Sequence, residues 1–252
     1  MRITRVRLMV HLIMLWGTGA LAQEGLRAPW VAQDVPVDPR ASAPLFEAAK
    51  ALNIPLSPQT VVVPHGGGSV PWISVRALHN GETLFLQFIW PDATPNRESF
   101  KDGAFSDAVA IQFPMVPDET TSPLMGDALH PVNIWQWKAA WETARLGPWD
   151  IERVNLLPQP LRNSPVEDLA AFGFGAIQSQ VRQEVRGAGR WQQGRWVVVM
   201  ARDLTTPDPN YVQFHPGETV LFNVALWDGG SGDRGSQKSV SLTWRALTLL
   251  PR

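Results

Sequence analysis

The chain contains no cysteine. That excludes disulfides, iron–sulfur ligation, thiolate zinc sites, cysteine nucleophiles and the thioether attachment of a c-type haem. Metal ligands can come only from histidine, methionine, lysine, tyrosine, carboxylates and backbone. Histidine is scarce, with five in 252 residues. His11 lies in the N-terminal apolar run, and His65, His79 and His215 lie in or beside turns. His130 alone stands where ligation by the commonest metal ligand is worth weighing, against a solvated loop histidine. A basic excess is also missing: formal net charge is −1, with no basic stripe, so nucleic acid is not an expected partner. Nothing repeats at a fixed period, which excludes a propeller. No nucleophile motif is present. The stretch "GGSGD" (229–233) is not a nucleophile elbow, and "HGGGS" (65–69) lacks the lysine of a phosphate loop. Asp228 and Asp233 do not match calcium-loop spacing. That stretch reads as a hairpin loop, with a binding role as the lesser alternative.

What is present is a globular composition, 44% hydrophobic and 18% charged, in a chain long enough for one large β domain. It begins with a basic "MRITRVR", an apolar run too short to span a bilayer comfortably, and a small-residue "ALA" at Ala20–Ala22. Residues 1–22 are therefore expected to be a cleaved secretory signal, leaving no membrane anchor in the mature chain and placing it in the periplasm. The arginines are not adjacent, which argues for export of an unfolded apoprotein. Cleavage leaves 19 basic against 23 acidic side chains.

Residues 23–56 read as an extended arm with a short helix over "PLFEAAKAL" (44–52), Pro44 in its first turn. Residues 57–252 read as one domain with a periodicity of two. Strands are predicted at 59–64, 72–78, 83–90, 107–114, 131–137, 180–186, 189–204, 219–227 and 239–250. Asn80-Gly81 marks a tight hairpin, and Leu84, Leu86, Phe88 and Trp90 are placed on one face. "SPVEDLAAFG" (164–173) carries a capping-box pattern and predicts a short helix. The fold class expected is all-β, an antiparallel β-sandwich with a few short helices and a long irregular insertion over 115–175. Insertions of that kind tend to be functional.

Within the insertion, "LMGDALHPVNIWQWKAAW" (124–141) surrounds Lys138 with three tryptophans and puts Met125 upstream. Lysine is rarely buried unless its charge is removed or paired. Methionine is a soft ligand known on haem iron, and lysine can ligate as the neutral amine, which a dry pocket favours. Packing and solvation are the ordinary roles of both residues. Trp135 and Trp137 flank the lysine, although strand alternation sends them to the opposite face unless the chain turns.

Four segments, "SVRALHNGETLFLQFIWPDATPN", "FSDAVAIQFPM", "MGDALHPVNIWQWKA" and "WDGGSGDRGSQKSVSLTWRALTL", closely resemble the γ subunits of periplasmic type II molybdoenzymes of the dimethyl-sulfoxide-reductase family. These include the haem-binding subunits of ethylbenzene dehydrogenase, dimethylsulfide dehydrogenase, and selenate and chlorate reductases. The resemblance implies a β-sandwich holding one haem b with methionine and lysine as axial ligands. It matches them to Met125 and Lys138; the residues themselves put Trp135 and Trp137 in the haem surroundings and keep His130 as a rival ligand. It implies no catalytic residue. The expected role is to relay electrons between an iron–sulfur β subunit, beside a molybdopterin α subunit, and a periplasmic cytochrome c or similar carrier. A carbohydrate-binding module is the second reading, because twelve tryptophans could stack on sugar rings.

Overall fold

The computed structural model describes residues 24–98, 103–116, 120–142, 164–208 and 211–252. The expected leader lies outside the described residues. The first strands are β1 (Leu26–Ala28), β2 (Leu52–Pro55), β3 (Ser57–Pro58), β4 (Trp72–His79), β5 (Thr83–Pro91), β6 (Ala108–Pro114) and β7 (Val132–Lys138). They are followed by β8 (Val166–Ala171), β9 (Ile177–Ser179), β10 (Arg186–Gln192), β11 (Arg195–Asp203), β12 (Thr219–Trp227), β13 (Ser239–Val240) and β14 (Arg245–Leu249). One short helix, α1 (Ala43–Glu47), starts with proline in its first turn.

The β4–β5 hairpin closes as its Asn-Gly pair requires. Asn80 Oδ1 accepts from the backbone N–H groups of Glu82 (3.0 Å) and Thr83 (2.8 Å). Gly81 takes φ of 96°, a conformation costly for any residue with a Cβ. From this hairpin one sheet grows in the order β10-β11-β5-β4-β2, antiparallel throughout. The second sheet runs β1-β14-β12-β6-β7-β8-β9, with β13 and β3 attached beside β12. Its pairs are antiparallel except β1 with β14. The expected all-β sandwich is therefore the fold.

The core lies between the sheets because alternate residues point inward. Leu84, Leu86, Phe88 and Trp90 of β5 join Trp196, Val198 and Met200 of β11 against Val109, Ile111 and Phe113 of β6 and Trp135 and Trp137 of β7. Trp90, Trp137 and Trp196 form a triad, with Trp137 and Trp196 edge-to-face at 4.9 Å. Each such pair adds roughly 0.5–1.5 kcal/mol beyond the area it buries. A buried polar bridge also joins the sheets. Arg202 of β11 donates to Asn133 Oδ1 of β7 at 3.3 Å, and Asn133 donates to Asp168 Oδ1 of β8 at 2.6 Å. Burial pushes the Asp168 carboxyl up to about 7, against the influence of Asn133 and Arg202.

The N-terminal arm is woven into the fold. β1 pairs with β14, β2 pairs with β4, and Val35, Phe46 and Ala49 cover Leu78, Phe85, Val199 and Ala201 on the outer face of the β5 sheet.

Three local expectations are corrected. The stretch 164–173 forms β8 instead of a helix. Ser164 Oγ accepts from Val166 N–H at 3.2 Å, a local turn, and pairing of β8 with β7 outweighs the capping pattern. The stretch 59–64 makes an isolated bridge at Gln59 and then bends, leaving Val63 80% exposed. The strand expected at 180–186 begins only at Arg186.

The approach of β10 to β7 tests this packing. A Cβ placed on Gly189 would lie 2.1 Å from the Trp137 ring. Gly189→Ala is expected to destabilise the protein by about 1–3 kcal/mol, the usual cost of overpacking, read from urea unfolding. An unchanged midpoint would show that the two strands do not meet this closely.

Candidate haem pocket on the outer face of the larger sheet

A cavity of about 540 Å³ opens on the face of the β6–β7–β12 sheet that points away from the core. Alternation creates its floor. Ala108 and Ala110 of β6, Ile134 of β7, Leu169 of β8 and Ala225 and Trp227 of β12 face outward, while Phe113, Trp135, Trp137 and Phe222 of the same strands face inward. Three alanines on adjacent strands leave a hollow where larger side chains would fill the sheet surface. Its volume falls within the range of small-molecule and cofactor sites.

The wall that carries Met125 is held by the floor. Asn223 donates to the Pro123 carbonyl at 2.8 Å, and Gln112 donates to the same oxygen. Trp244 Nε1 donates to the Thr121 carbonyl at 2.7 Å. Met125 itself adopts φ of 70°, and its carbonyl accepts from Gly173 N–H at 3.0 Å. A non-glycine residue in this left-handed region costs of order 1 kcal/mol, a strain that turns up at ligand-holding positions. Gly126 follows at φ of 62°, and a Cβ there would meet the His130 carbonyl at 2.3 Å.

The opposite wall carries Lys238, immediately before β13. Its backbone is fixed by Gln59 N–H donating to its carbonyl at 3.0 Å and by its own N–H donating to Gly66 at 3.2 Å. Its Nζ stands 3.9 Å from Met125 Sδ and 5.0 Å from the Trp227 ring centroid. Among the described residues no carboxylate pairs with it. Burial lowers its pKa to about 8. A sulfur atom and a poorly solvated amine thus face each other inside an apolar hollow.

Lys138 also lines the cavity, but the amine that meets Met125 is that of Lys238. Lys138 Nζ lies 3.3 Å from Glu167 Oε2 and 4.0 Å from the Trp141 ring centroid, so its charge is matched. Trp135 and Trp137 are fully buried between the sheets, on the side of β7 opposite Lys138. Alternation along an unbroken strand puts them there, and neither lines the cavity. His130 turns to its own loop, with Nδ1 3.1 Å from the Asp127 carboxylate, and does not line the cavity. Sequence reasoning missed Lys238, although the "SQKSVSLTW" segment that holds it was part of the resemblance.

The family profile described as ethylbenzene dehydrogenase matches residues 43–150 and 151–239. The chain belongs to the ethylbenzene dehydrogenase family. It is 31% identical over 184 residues to the dimethylsulfide dehydrogenase γ subunit of Rhodovulum sulfidophilum, covering 70% of this chain and 60% of that one. It is 26% identical over 182 residues to the chlorate reductase γ subunit of Ideonella dechloratans, covering 72% of this chain and 66% of that one. A Haloferax mediterranei protein named as a respiratory nitrate reductase heme subunit is 26% identical over 212 residues, covering 84% of this chain and 68% of the other. Among solved structures, a family 9 carbohydrate binding module from Caldicellulosiruptor kristjanssonii, bound to glucose, superposes with a TM-score of 0.49 at 7% identity, over 90% of this chain and 96% of that one. Among the described residues no helix is long and apolar enough to cross a membrane.

Lys238 gives a test that needs no ligand. Its folded pKa of about 8 lies below the ordinary 10.5, so the unfolded chain binds more protons between those values. Its contribution is therefore a penalty that is full below pH 8 and fades as pH rises toward 10.5. Lys238→Met is expected to stabilise the ligand-free protein at pH 7 by roughly 1–3 kcal/mol, and the gain should shrink at pH 10, read from denaturant unfolding. Loss of stability at both pH values would show that the amine is well solvated or paired.

Proposed function

We propose that this chain is a non-catalytic electron-transfer subunit that carries one haem b in the cavity, where Met125 and Lys238 would hold its iron. The observation that carries the reading is the 3.9 Å approach of Met125 Sδ and Lys238 Nζ across an apolar hollow. The residues fit the group. A thioether is a soft iron ligand, and an amine whose charged form is disfavoured gives up its proton readily. With no cysteine in the chain, ligation and packing must hold the porphyrin. Relatives named as γ subunits of a dehydrogenase and a reductase, and one named as a heme subunit, support the same role.

A haem bound there supplies a one-electron ferric–ferrous couple. The chain's own residues set its surroundings. Ala108, Ala110 and Ala225 give an apolar floor against which a porphyrin would lie. The tethered Pro123 carbonyl and the left-handed backbone at Met125 fix where the sulfur points. Lys238 would contribute its amine, which sheds its proton to solvent before it can hold a metal. Axial ligands and the dryness of the pocket are the means by which such a protein sets potential. In the whole assembly the chain would pass electrons between an iron–sulfur β subunit, held with a molybdopterin α subunit, and a periplasmic carrier. Residues 1–22 would direct it there and be removed.

Reconstitution with haemin tests the reading. The purified protein is expected to show a Soret band, with sharp α and β bands on reduction. Lys238→Ala and Met125→Ala should lose haem or turn it high-spin, while Lys138→Ala and His130→Ala keep the low-spin spectrum. A colourless protein, or loss of the spectrum in Lys138→Ala alone, contradicts the assignment. Because ligation displaces a proton from Lys238, haem affinity should fall about tenfold per pH unit below pH 8 and level off above it, checked by titration at fixed ionic strength. A pH-independent affinity would mean that this amine does not bind iron.

A further inference from the structure

A second cluster lies at one end of the sandwich, away from Met125. Asp92 follows β5, Asp107 precedes β6 and Asp228 follows β12, and one carboxylate oxygen from each lies within 4.8 Å of the others. β5 belongs to one sheet, and β6 and β12 to the other. Asp107 is fully buried and Asp92 is 6% exposed. None of the three is ion-paired among the described residues. Three carboxylates brought together without a cation repel one another, and burial makes that repulsion costly.

Their hydrogen bonds leave acceptor capacity unused. Asp107 Oδ2 accepts from Asn96 N–H (2.7 Å) and Trp196 Nε1 (2.9 Å), and its Oδ1 from Gly229 N–H (2.9 Å). Among the described residues the Asp228 carboxylate accepts only from Ser231, through its N–H at 3.1 Å and its hydroxyl at 2.7 Å. Asp92 Oδ1 accepts from Thr94 N–H at 3.0 Å, while Asp92 Oδ2, though buried, has no donor in hydrogen-bond geometry. Orphaned buried carboxylate oxygens are rare and call for a partner. Further oxygens converge on the same place. A Cβ added to Gly230 would lie 3.0 Å from Asn96 Oδ1, 3.1 Å from Thr94 Oγ1 and 3.2 Å from Asp228 Oδ1.

We propose that Asp92, Asp107 and Asp228 bind one hard divalent cation of the calcium class, with the Thr94 and Asn96 side-chain oxygens beside it, and that the ion clamps the two sheets together. The donor set is all oxygen, which suits calcium and not the softer metals that need nitrogen or sulfur. Burial raises the Asp92 carboxyl to about 6 and the Asp107 carboxyl to about 7, with Asp228 and Asp92 adding to the respective rises, and a bound dication would reverse both. The clamp also reaches the cavity wall. Asp228 N–H donates to Asp233 Oδ2 at 3.2 Å, which fixes the start of the loop leading to Lys238.

The experiment is terbium luminescence on the purified, chelator-stripped protein, excited through tryptophan. Trp196 donates to Asp107 and would sensitise an ion held there. One saturable terbium site per chain, displaced by calcium, is expected. Asp92→Asn should weaken it at least tenfold. So should Gly230→Ala, which fills the cradle while keeping every carboxylate. Near-UV circular dichroism checks that both variants fold, and Asp228→Asn replaces Asp92→Asn should the latter fail. Calcium should raise the melting temperature of the parent protein and leave that of Gly230→Ala unmoved. Absence of a saturable site, or unchanged binding in the folded variants, overturns the proposal.

Discussion

The site depends on one juxtaposition, an amine that cannot hold its proton easily and a thioether that cannot move far from it. Lys238 lies among apolar atoms and the Trp227 ring, with no carboxylate among the described residues to match its charge. Met125 is fixed by a strained backbone and by a loop whose carbonyls are gripped from the sheet beneath. Either feature alone would be unremarkable in a folded protein. Together they store an unfavourable arrangement that a metal ion seated between sulfur and nitrogen would relieve.

That arrangement is a product of strand alternation. The sheet of β6, β7 and β12 sends all its large aromatics but Trp227 inward, where Trp137 packs with Trp196 and Trp90 between the layers, and its alanines outward. One set of residues therefore gives a stiff core and a shallow apolar hollow on the other side. The division explains why a chain rich in tryptophan has few in the cavity. It also means that the cavity floor has the stability of the sandwich, while the two walls are loops that could adjust to a planar ligand.

Much of this was legible in the sequence. The Asn80-Gly81 hairpin, the shared face of Leu84, Leu86, Phe88 and Trp90, and the strands read at 219–227 and 131–137 all followed from local chemistry that tertiary structure did not override. Met125, which the resemblance matched to a haem ligand, stands in the cavity wall. Sequence proximity favoured Lys138 as the partner of Met125, whereas the amine that approaches Met125 is that of Lys238, across 113 residues of chain. No local pattern reports a contact of that range. Nor does any pattern announce that Glu167, on the strand next to Lys138, matches that lysine's charge. The expected helix at 164–173 failed for the same reason: its capping signal was genuine, but the exposed edge of β7 offered more hydrogen bonds than a short helix could.

The claim that bears most weight is the identity of the two atoms at the iron. Near-infrared magnetic circular dichroism of the oxidised, haem-loaded protein reads them most directly, because the iron's charge-transfer band shifts with each axial ligand. The account expects a band of thioether–amine type that is lost when Lys238 is replaced and unaltered when Lys138 is replaced. A band of bis-imidazole type, or one that follows Lys138, would contradict it.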